Sequence, residues 1–592
     1  MADVYAPPLR DMRFALEHLV DAEGLAKLPG FGHADLDTMM ALLEEFGRFC
    51  AQELAPLNRV GDTVGSKHDA ATGAVTTPPG WVEAYAKYYE AGWNAVPFDE
   101  AHGGGGFPWL LAIAMQELLT ASNMGFSLCP LLTQGAIDML EHHGSEEQKE
   151  VYLRRMVSGE WTGTMNLTEP QAGSDVGALT TKAVPAADGS WRVSGQKIFI
   201  TYGDQDLTGN IVHLVLARVP DAPPGTRGIS CFIVPKFLVN DDGSLGERNA
   251  VKCIGIEHKM GIHASPTCTM EYDGAVGYLI GEANAGMRYM FTMMNNARLS
   301  VGLEGLCVAE RAYQAAVTYA QERSQGRAIG APAGVSSPII EHADVRRMLL
   351  HMRSHIEAMR ALAYTNAWAI DVSKHGADED ARTRADEIAD LLTPITKAWC
   401  TDLGSELTRL ATQIHGGMGY IGETGVEQHE RDIRIAAIYE GTNGIQAMDL
   451  VGRKLPMRAG GVVLDQIAAI EATVGQLDGD LADLGERLAD GAAALREATE
   501  WLLANGLHDP QNALAGATPY LRLFGTVLGG WFLSRQAIAA RAAGTDDYHA
   551  AKVATARYYA HQVLPSARGL VPAVTAGPEV LFALTPEQLQ PS

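Results

Sequence analysis

The chain has 592 residues, 47% of them hydrophobic, and its 71 acidic and 46 basic residues leave a net charge of −25. This acidic balance argues against a nucleic-acid partner, because neutralising phosphates requires a basic surface. Seven cysteines are scattered without a Cys-x-x-Cys pair, which predicts a reduced compartment, no disulfide framework and no metal site. The length predicts several domains.

The predicted elements divide the chain into five parts. Residues 1–40 form an N-terminal extension. Residues 41–161 are predicted to be helical, because apolar residues recur at three- and four-residue spacing in segments such as LLAIAMQELLTA. Residues 162–284 are predicted to form a β domain, because short β-branched runs such as NIVHLVLARV alternate with turn signals. Residues 285–455 are helical again, and residues 456–592 form a helical C-terminal extension.

The longest uncharged apolar run, LFGTVLGGWFL at 523–533, lies in this extension. Crossing a bilayer takes about 20 apolar residues, so the run is too short to be a spanning segment. The pattern favours a buried helix over a helix that lies on a membrane surface.

A polar loop, MNLTEPQAGSDVGAL at 165–179, stands at the entrance to the β domain. Thr168, Gly173 and Ser174 offer hydroxyl groups and accessible backbone N–H groups there. Such a loop can hold the edge of a polar heterocycle or a pyrophosphate. A capped turn without a ligand is the alternative interpretation.

A strand, KIFITYGD at 197–204, follows the loop. Phe199 and Thr201 alternate along it and are predicted to share one face. An aromatic ring beside a hydroxyl group suits stacking and hydrogen bonding to a flat cofactor. An ordinary core strand is the alternative.

Two further segments break the later helices. ERSQGRAIG at 322–330 places Arg323 and Arg327 near two glycines, a pattern typical of an anion clamp. QIHGGMGY at 413–420 ends a helix at Gly416 and Gly417, where the backbone can lie against a ligand. Either segment is also compatible with a simple helix end.

The segment IYEGT at 438–442 contains a carboxylate followed by a glycine. Gly441 permits close approach of a ligand or another backbone to Glu440. Taken alone, this pattern makes Glu440 only a candidate general base.

The order of these segments is specific. TEPxAGSD, KxFIT, the ERSQGR helix end, QIxGGxGY and RDxRxxxIYEGT follow one another as in the acyl-CoA dehydrogenase family, which the chain resembles over about residues 40–455. The two extensions resemble those of the larger members. The resemblance implies an α+β fold with an N-terminal helical domain, a central β-sandwich or barrel domain, a C-terminal four-helix bundle and an additional C-terminal helical domain.

The resemblance also implies a reaction and the residues that perform it. Glu440 would remove the α-proton of an acyl-CoA thioester, and FAD would accept the β-hydrogen. The implied FAD contacts within one subunit are Met165, Leu167, Thr168, Gly173, Ser174, Phe199, Thr201 and Thr442. Arg323, Gln413 and Gly417 would bind the FAD of a neighbouring subunit, which requires a homodimer or larger oligomer. The implied acyl-CoA contacts are Ser174, Arg298, Tyr439 and Gly441.

The sequence departs from the family pattern at several positions. Phe199 stands where many relatives have Trp, Met165 replaces a common tyrosine, and Asn443-Gly444 replaces a more usual Ser-Gln. Some relatives carry the base on an earlier helix, at the position of Ala297. Alanine has no titratable group, which favours Glu440. Glu304, about two turns further on, is expected to be a paired or solvated carboxylate.

The resemblance to the larger members of the family favours 3-methylthiopropionyl-CoA as the substrate, oxidised to methylthioacryloyl-CoA. The helices around Met115 to Leu132 that would form the pocket floor show no decisive residue for the acyl chain. A medium- or long-chain fatty acyl-CoA dehydrogenase is one alternative, and an acyl-CoA oxidase and a catalytically silent member are two others. An aspartate would be expected at position 440 of a nitroalkane oxidase. The expected electron acceptor is electron-transfer flavoprotein, and the expected location is the cytoplasm.

Overall fold

The computed structural model describes residues 5–506 and 508–591. Two compact units are present in these ranges. One comprises residues 5–7 and 44–300, and the other comprises residues 8–43 and 301–591 without residue 507.

Helices precede the sheet in the chain, as predicted. Their bounds are α1 Leu9–His18, α2 Ala22–Leu25, α3 Leu36–Phe49, α4 Ala55–Val64, α5 Trp81–Glu90, α6 Trp109–Ser122, α7 Met124–His143, α8 Glu146–Gln148 and α9 Arg154–Ser158. Helices α6 and α7 are apolar on almost all sides, which is typical of buried helices. Asn123 separates them, and its side chain accepts a hydrogen bond of 3.1 Å from the backbone N–H of Phe126 to begin α7.

The strands of the described residues form a seven-stranded main sheet in the central part of the chain and two small sheets of two strands each. The strands are β1 Lys67–His68, β2 Val75–Thr76, β3 Trp161–Asn166, β4 Lys182–Pro185, β5 Trp191–Thr201, β6 Asn210–Ala217, β7 Ser230–Pro235, β8 Phe237–Val239, β9 Leu245–Arg248, β10 Val251–Ile256 and β11 Thr267–Leu279. The main sheet has the order β3-β6-β7-β11-β5-β4, and β10 also pairs with β11. Strands β3 and β6 are parallel, whereas the other pairs are antiparallel. Val193, Phe232 and Tyr272 lie in the core of this sheet.

Long helices follow the sheet. They are α10 Gly286–Glu322, α11 Ala343–His375, α12 Glu379–His415, α13 Val426–Ile433, α14 Asn443–Asp449, α15 Gly461–Val474, α16 Ala482–Asn505, α17 Pro510–Ala543, α18 Asp547–Gln562 and α19 Ser566–Thr575. The α+β class, with helices before and after a central sheet and a helical C-terminal extension, is therefore confirmed. The five-part division at particular residue numbers stays a prediction.

The apolar run at 523–533 lies inside α17 and is almost wholly buried. A Cβ atom on Gly525 would lie 2.4 Å from the indole of Trp399 in α12, so glycine is required for this close helix contact. The buried-helix interpretation is confirmed, and the alternative of a helix on a membrane surface is wrong. Within residues 5–506 and 508–591, no helix has the length and apolar content needed to span a membrane.

All seven cysteines are free thiols and all are buried. Cys307 and Cys400 belong to the second unit, and the remaining five belong to the first. Burial raises the pKa of the Cys129 and Cys400 thiols far above the ordinary value.

Candidate active site

Glu440 lies on a sharp turn immediately before α14. Glu440 and Gly441 have successive left-handed φ angles of 55° and 83°. Such a φ is unusual for a glutamate and marks a backbone that its surroundings hold in place. Thr442 caps α14 by accepting a hydrogen bond of 3.2 Å from the N–H of Ile445. The buried side chain of Gln446 donates to the carbonyl oxygens of Glu440 at 3.3 Å and Gly441 at 3.4 Å.

Gly441 is required in this turn for two reasons. Its φ of 83° is unfavourable for any residue with a Cβ atom, and a Cβ placed there would lie 2.8 Å from Gln446 Nε2. The predicted need for a glycine beside Glu440 is therefore explained by a contact inside the protein. Its predicted contact with the acyl-CoA stays a prediction.

The residue before the candidate base is held by a second carboxyl group. The hydroxyl of Tyr439 donates a hydrogen bond of 2.6 Å to Glu304 Oε2. Glu304 is 0% exposed, so the expectation of a solvated carboxylate is wrong. The other expectation, a paired group, is met by this hydrogen bond to a hydroxyl group and not by an ion pair. This bond engages the Tyr439 hydroxyl, and the contact of Tyr439 with acyl-CoA stays a prediction.

Asn443 joins the turn to helix α12. Its amide nitrogen donates to the carbonyl oxygen of Ala398 at 3.1 Å and to Asp402 Oδ1 at 2.7 Å. Its amide oxygen accepts a hydrogen bond of 2.9 Å from Lys397 Nζ, whose side chain is buried. A serine, which is more usual at this position, is too short to make all of these contacts. The departure from the family pattern at Asn443 therefore anchors the start of α14.

A buried ion pair shapes the polar loop that follows β3. Lys197 Nζ lies 2.8 Å from Glu169 Oε1 and also donates to the carbonyl oxygen of Leu167 at 2.9 Å. The same carboxylate accepts from the backbone N–H groups of Thr180 at 2.7 Å and Thr181 at 3.0 Å. Burial alone would raise the pKa of Glu169, but Lys197 and these hydrogen bonds outweigh it and lower the pKa to about 2. The pair thus ties β5 to the loop.

A β-bulge in β5 gives Lys197 and Phe199 opposite orientations. Lys197 pairs with Met270 and Ile200 pairs with Cys268, so two residues of β5 stand opposite one residue of β11. Phe199 is one of the two, with a left-handed φ of 60° and a side chain that is 58% exposed. In a regular strand Lys197 and Phe199 would point to the same face. The bulge directs Lys197 into the protein and Phe199 outward.

The residues around Phe199 fit a flat cofactor with a hydrogen-bonding edge. The backbone N–H of Ile198 donates a hydrogen bond of 2.9 Å to the carbonyl oxygen of Thr168, and this bond places the polar loop against the bulge. Thr168 and Thr201 are half-buried, and their hydroxyl groups make no hydrogen bond to any side chain or backbone group in the described ranges. An exposed ring for stacking, together with two available hydroxyl groups for hydrogen bonding, fits the chemistry of the isoalloxazine ring of a flavin.

The other residues of the first unit that are predicted to contact FAD or acyl-CoA differ in exposure. Met165 is half-buried near the end of β3, Leu167 is buried, and Gly173 and Ser174 are exposed on the loop. Arg298 lies in α10 and is only 5% exposed, with Nη1 3.4 Å from Asn295 Oδ1. The roles assigned to these five residues stay predictions.

The three residues predicted to bind a neighbouring subunit's FAD lie at or next to the C-terminal ends of α10 and α12. Tyr319 near the end of α10 stacks on His415 at the end of α12, with ring centroids 4.3 Å apart. Arg323 follows Tyr319 by one turn, and Gln413 and Gly417 flank His415. All three are exposed. Their role in binding FAD stays a prediction, but the stacked pair brings their segments together.

The assignment of the helices around Met115 to Leu132 as the floor of the acyl pocket stays a prediction. Met115 lines a small cavity in the first unit together with Phe46, Tyr88, Trp93, Gln116 and Gln134. Gln116 is 2% exposed, and its amide oxygen lacks a hydrogen-bond partner in the described part of the chain. Leu131 and Leu132 are buried but are not among the lining residues.

Sequence reasoning missed the residues that support the candidate site. Glu169 and Lys197 stand inside the two segments that predicted cofactor binding, so their opposite charges were the available signal. The partnership of Glu304 with Tyr439 spans 135 positions of the chain. Nothing in either local sequence indicates it.

Comparison with known proteins agrees with this geometry. Residues 36–160, 164–275 and 284–455 match the N-terminal, middle and C-terminal domains of acyl-CoA dehydrogenases. Residues 463–585 match the acetyl-CoA dehydrogenase C-terminal-like family. The chain belongs to the acyl-CoA dehydrogenase family and is an FAD-dependent oxidoreductase.

Individual relatives extend the match over nearly the whole chain. The chain is 48% identical to 3-methylmercaptopropionyl-CoA dehydrogenase of Ruegeria pomeroyi, over 95% of this chain and 96% of the relative. It is 38% identical to a butyryl-CoA dehydrogenase of Syntrophomonas wolfei, over 96% and 97%. A crystal structure of an acyl-CoA dehydrogenase complexed with FAD from Bacillus anthracis shares the fold, with a TM-score of 0.72 and 21% identity over 93% of this chain and 89% of that chain.

Proposed function

We propose that the chain oxidises 3-methylmercaptopropionyl-CoA (3-methylthiopropionyl-CoA) to the α,β-unsaturated thioester, with Glu440 as the base. The identity of 48% to the Ruegeria enzyme of that name supports the substrate. The observation that carries the assignment of the base is the turn at Glu440 and Gly441, because two successive left-handed residues and the Gln446 contacts hold the backbone from which the Glu440 side chain projects.

Glu440 removes the α-proton of the acyl chain. A carboxylate, with an ordinary pKa of about 4.3, is a weak base for a carbon-bound proton. Exclusion of water by the acyl chain strengthens the base, and polarisation of the thioester oxygen acidifies the α-carbon. We assign the backbone N–H of Glu440 as one donor to that oxygen, an oxyanion-hole contact.

Residues of the β domain hold the cofactor. Thr168 and Leu167 bind the polar edge of the flavin, Phe199 contacts the ring, and Thr201 donates to it. FAD, when bound, accepts two electrons and the β-hydrogen of the acyl chain. Thr442 and Ser174 complete the contacts within the subunit.

The remaining partners follow from the same proposal. Arg323, Gln413 and Gly417 bind the FAD of a second subunit, so the active species is a homodimer or a larger oligomer. Electron-transfer flavoprotein would be the electron acceptor of the enzyme. The seven free, buried thiols support a location in the reducing bacterial cytoplasm.

Anaerobic flavin reduction tests the proposal. The FAD-loaded protein is mixed with 3-methylthiopropionyl-, butyryl-, octanoyl- or palmitoyl-CoA, and bleaching of the flavin absorbance is followed. We expect 3-methylthiopropionyl-CoA to bleach the flavin fastest. Fastest bleaching by butyryl-CoA or by a longer chain would contradict the substrate, and the absence of bleaching by all four would contradict the activity.

A substitution tests the base separately. Glu440→Gln is expected to retain FAD and acyl-CoA binding and to lose flavin reduction. Glu379→Gln, an exposed carboxylate in the first turn of α12, is the matched control and should reduce the flavin normally. Bleaching of Glu440→Gln at the wild-type rate would show that another residue is the base. Hydrogen peroxide formation in air at the rate of turnover would show an oxidase instead of a dehydrogenase.

A further inference from the structure

Glu304 is a buried carboxyl group that the reaction described above does not use. It lies within α10 and is 0% exposed, and its Oε2 atom accepts the hydrogen bond of 2.6 Å from the Tyr439 hydroxyl. Its Oε1 atom has no hydrogen-bond partner in the described part of the chain. Burying a carboxyl group with half of its hydrogen-bonding capacity unused is unfavourable, so its presence calls for an explanation.

The charged and titratable groups that face Glu304 come from two other segments. Tyr439 and Glu440 face it from the turn before α14, and Lys397 faces it from α12. The pKa of Glu304 is raised to about 8, and burial is the main cause. The hydrogen bond from Tyr439 and the positive charge of Lys397 lower this pKa, whereas the negative charge of Glu440 raises it. Because this value lies above 7, the protonated form of Glu304 predominates at pH 7.

We propose that Glu304 is a positioning residue for the base: it fixes Tyr439 through the hydroxyl group and acts on the adjacent Glu440 through its own charge state. This inference rests on the proposed role of Glu440. The hydrogen bond restrains Tyr439, the residue that precedes the left-handed turn. Removing this bond therefore leaves the start of the turn less restrained. Gln446 also holds the turn, because its side chain donates hydrogen bonds to the carbonyl oxygens of Glu440 and Gly441.

The charge of Glu304 has a defined consequence for the base. When Glu304 ionises, a second negative charge faces Glu440 and increases the affinity of Glu440 for a proton, because like charges disfavour each other. A stronger base removes the α-proton faster. Flavin reduction should therefore accelerate as the pH rises through about 8, where Glu304 loses its proton.

Three variants of the FAD-loaded enzyme test this inference. The rate of anaerobic flavin reduction is measured at saturating acyl-CoA from pH 6 to 9.5 for Glu304→Gln, Glu304→Ala and Tyr439→Phe. Glutamine keeps the shape and the hydrogen-bond acceptor of the neutral carboxyl group but never ionises. We expect Glu304→Gln to react within about threefold of the wild type at pH 6.5 and to lack the rise near pH 8.

The other two variants remove the hydrogen bond. Glu304→Ala and Tyr439→Phe are each expected to slow flavin reduction by about 10- to 100-fold, because a displaced base loses its alignment with the α-carbon. The double variant should be no slower than either single variant, because both substitutions break the same contact. FAD content and circular dichroism check folding, and Glu379→Gln is the control.

Two results would overturn the inference. One is a wild-type pH profile in Glu304→Gln, and the other is a double variant whose loss is the product of the single losses. If Glu304→Ala does not fold, the pH profile of Glu304→Gln decides alone. Failure of the proposed function is recognised separately, because Glu440→Gln would then reduce the flavin.

Discussion

The ammonium group of Lys197 and the carboxylate of Glu169 lie 2.8 Å apart with side chains that are 0% and 2% exposed. Such a pair is strongly destabilising when one partner is removed, because the other remains as a buried charge. Since the pair connects β5 to the polar loop after β3, it links the stability of the β domain to the position of the predicted flavin contacts.

Glu169→Gln should destabilise the β domain by about 3–5 kcal/mol at neutral pH and reduce FAD retention. The pKa of Glu169 is lowered to about 2 from its ordinary value near 4.5, so its stabilising contribution is complete above about pH 4.5. It is lost as the pH falls towards 2, where the protonated carboxyl group resembles glutamine. Urea unfolding of both proteins between pH 2 and 6 measures this difference. A difference that stays constant over that range would contradict the ionised pair.

Phe199 offers a separation of stability from cofactor binding. Phe199→Gly removes a strained left-handed φ, worth about 1 kcal/mol, together with a ring that is mostly exposed. We expect equal or higher stability of the apoprotein and weaker FAD binding, measured by calorimetry and fluorescence titration. Phe199→Ala is the control, because it also loses the ring but keeps the strained Cβ. If both variants bind FAD as tightly as the wild type, the ring does not contact the flavin.

Gly441 and Gly444 are expected to respond oppositely to the same substitution. Gly441→Ala places a Cβ atom at a φ of 83° and 2.8 Å from Gln446 Nε2, so it should slow flavin reduction and lower stability by about 1–3 kcal/mol. Gly444→Ala meets only Thr442 Oγ1 at 3.7 Å inside α14 and should be neutral or slightly stabilising. Stopped-flow reduction and urea unfolding compare the two. Similar effects of the two substitutions would contradict the strained turn.

Helix packing in the C-terminal extension allows a second matched pair. Gly525→Ala puts a Cβ atom 2.4 Å from the indole of Trp399, and overpacking of this kind costs about 1–3 kcal/mol. A Cβ atom on Gly569 in α19 meets no atom within 4 Å, so Gly569→Ala should stabilise by about 0.5–1 kcal/mol. Thermal unfolding measures both changes. A stabilised Gly525→Ala variant would contradict the close contact of α17 and α12.

The sequence predicted the class of fold well because its signals are local. Apolar spacing marked α6, and β-branched runs marked β5 and β6. The motif order named the family and placed Glu440 beside a permissive glycine. The bulge was not predicted, because the alternation of Phe199 and Thr201 is the same in a regular strand and in a bulged one. Its existence depends on the pairing of β5 with β11.

The contacts behind the base were beyond sequence reasoning for a related reason. Glu304 and Tyr439 are far apart in the chain, and the burial of a carboxyl group depends on the packing of several helices. The interpretation of Asn443 as a mere departure from the family pattern missed its bonds to α12. Those bonds need the three-dimensional pairing of α12 with α14.

The buried cysteines can report motions that expose the interior of the protein to solvent. A thiol reagent attacks only a thiolate that solvent can reach, and burial both shields these sulfurs and raises the pKa of Cys129 and Cys400. Labelling of Cys307 and Cys400 therefore records the opening of the second unit, whereas labelling of Cys129 records that of the first. Mass spectrometry of the labelled peptides can thus measure the rate at which each unit opens, without any engineered probe.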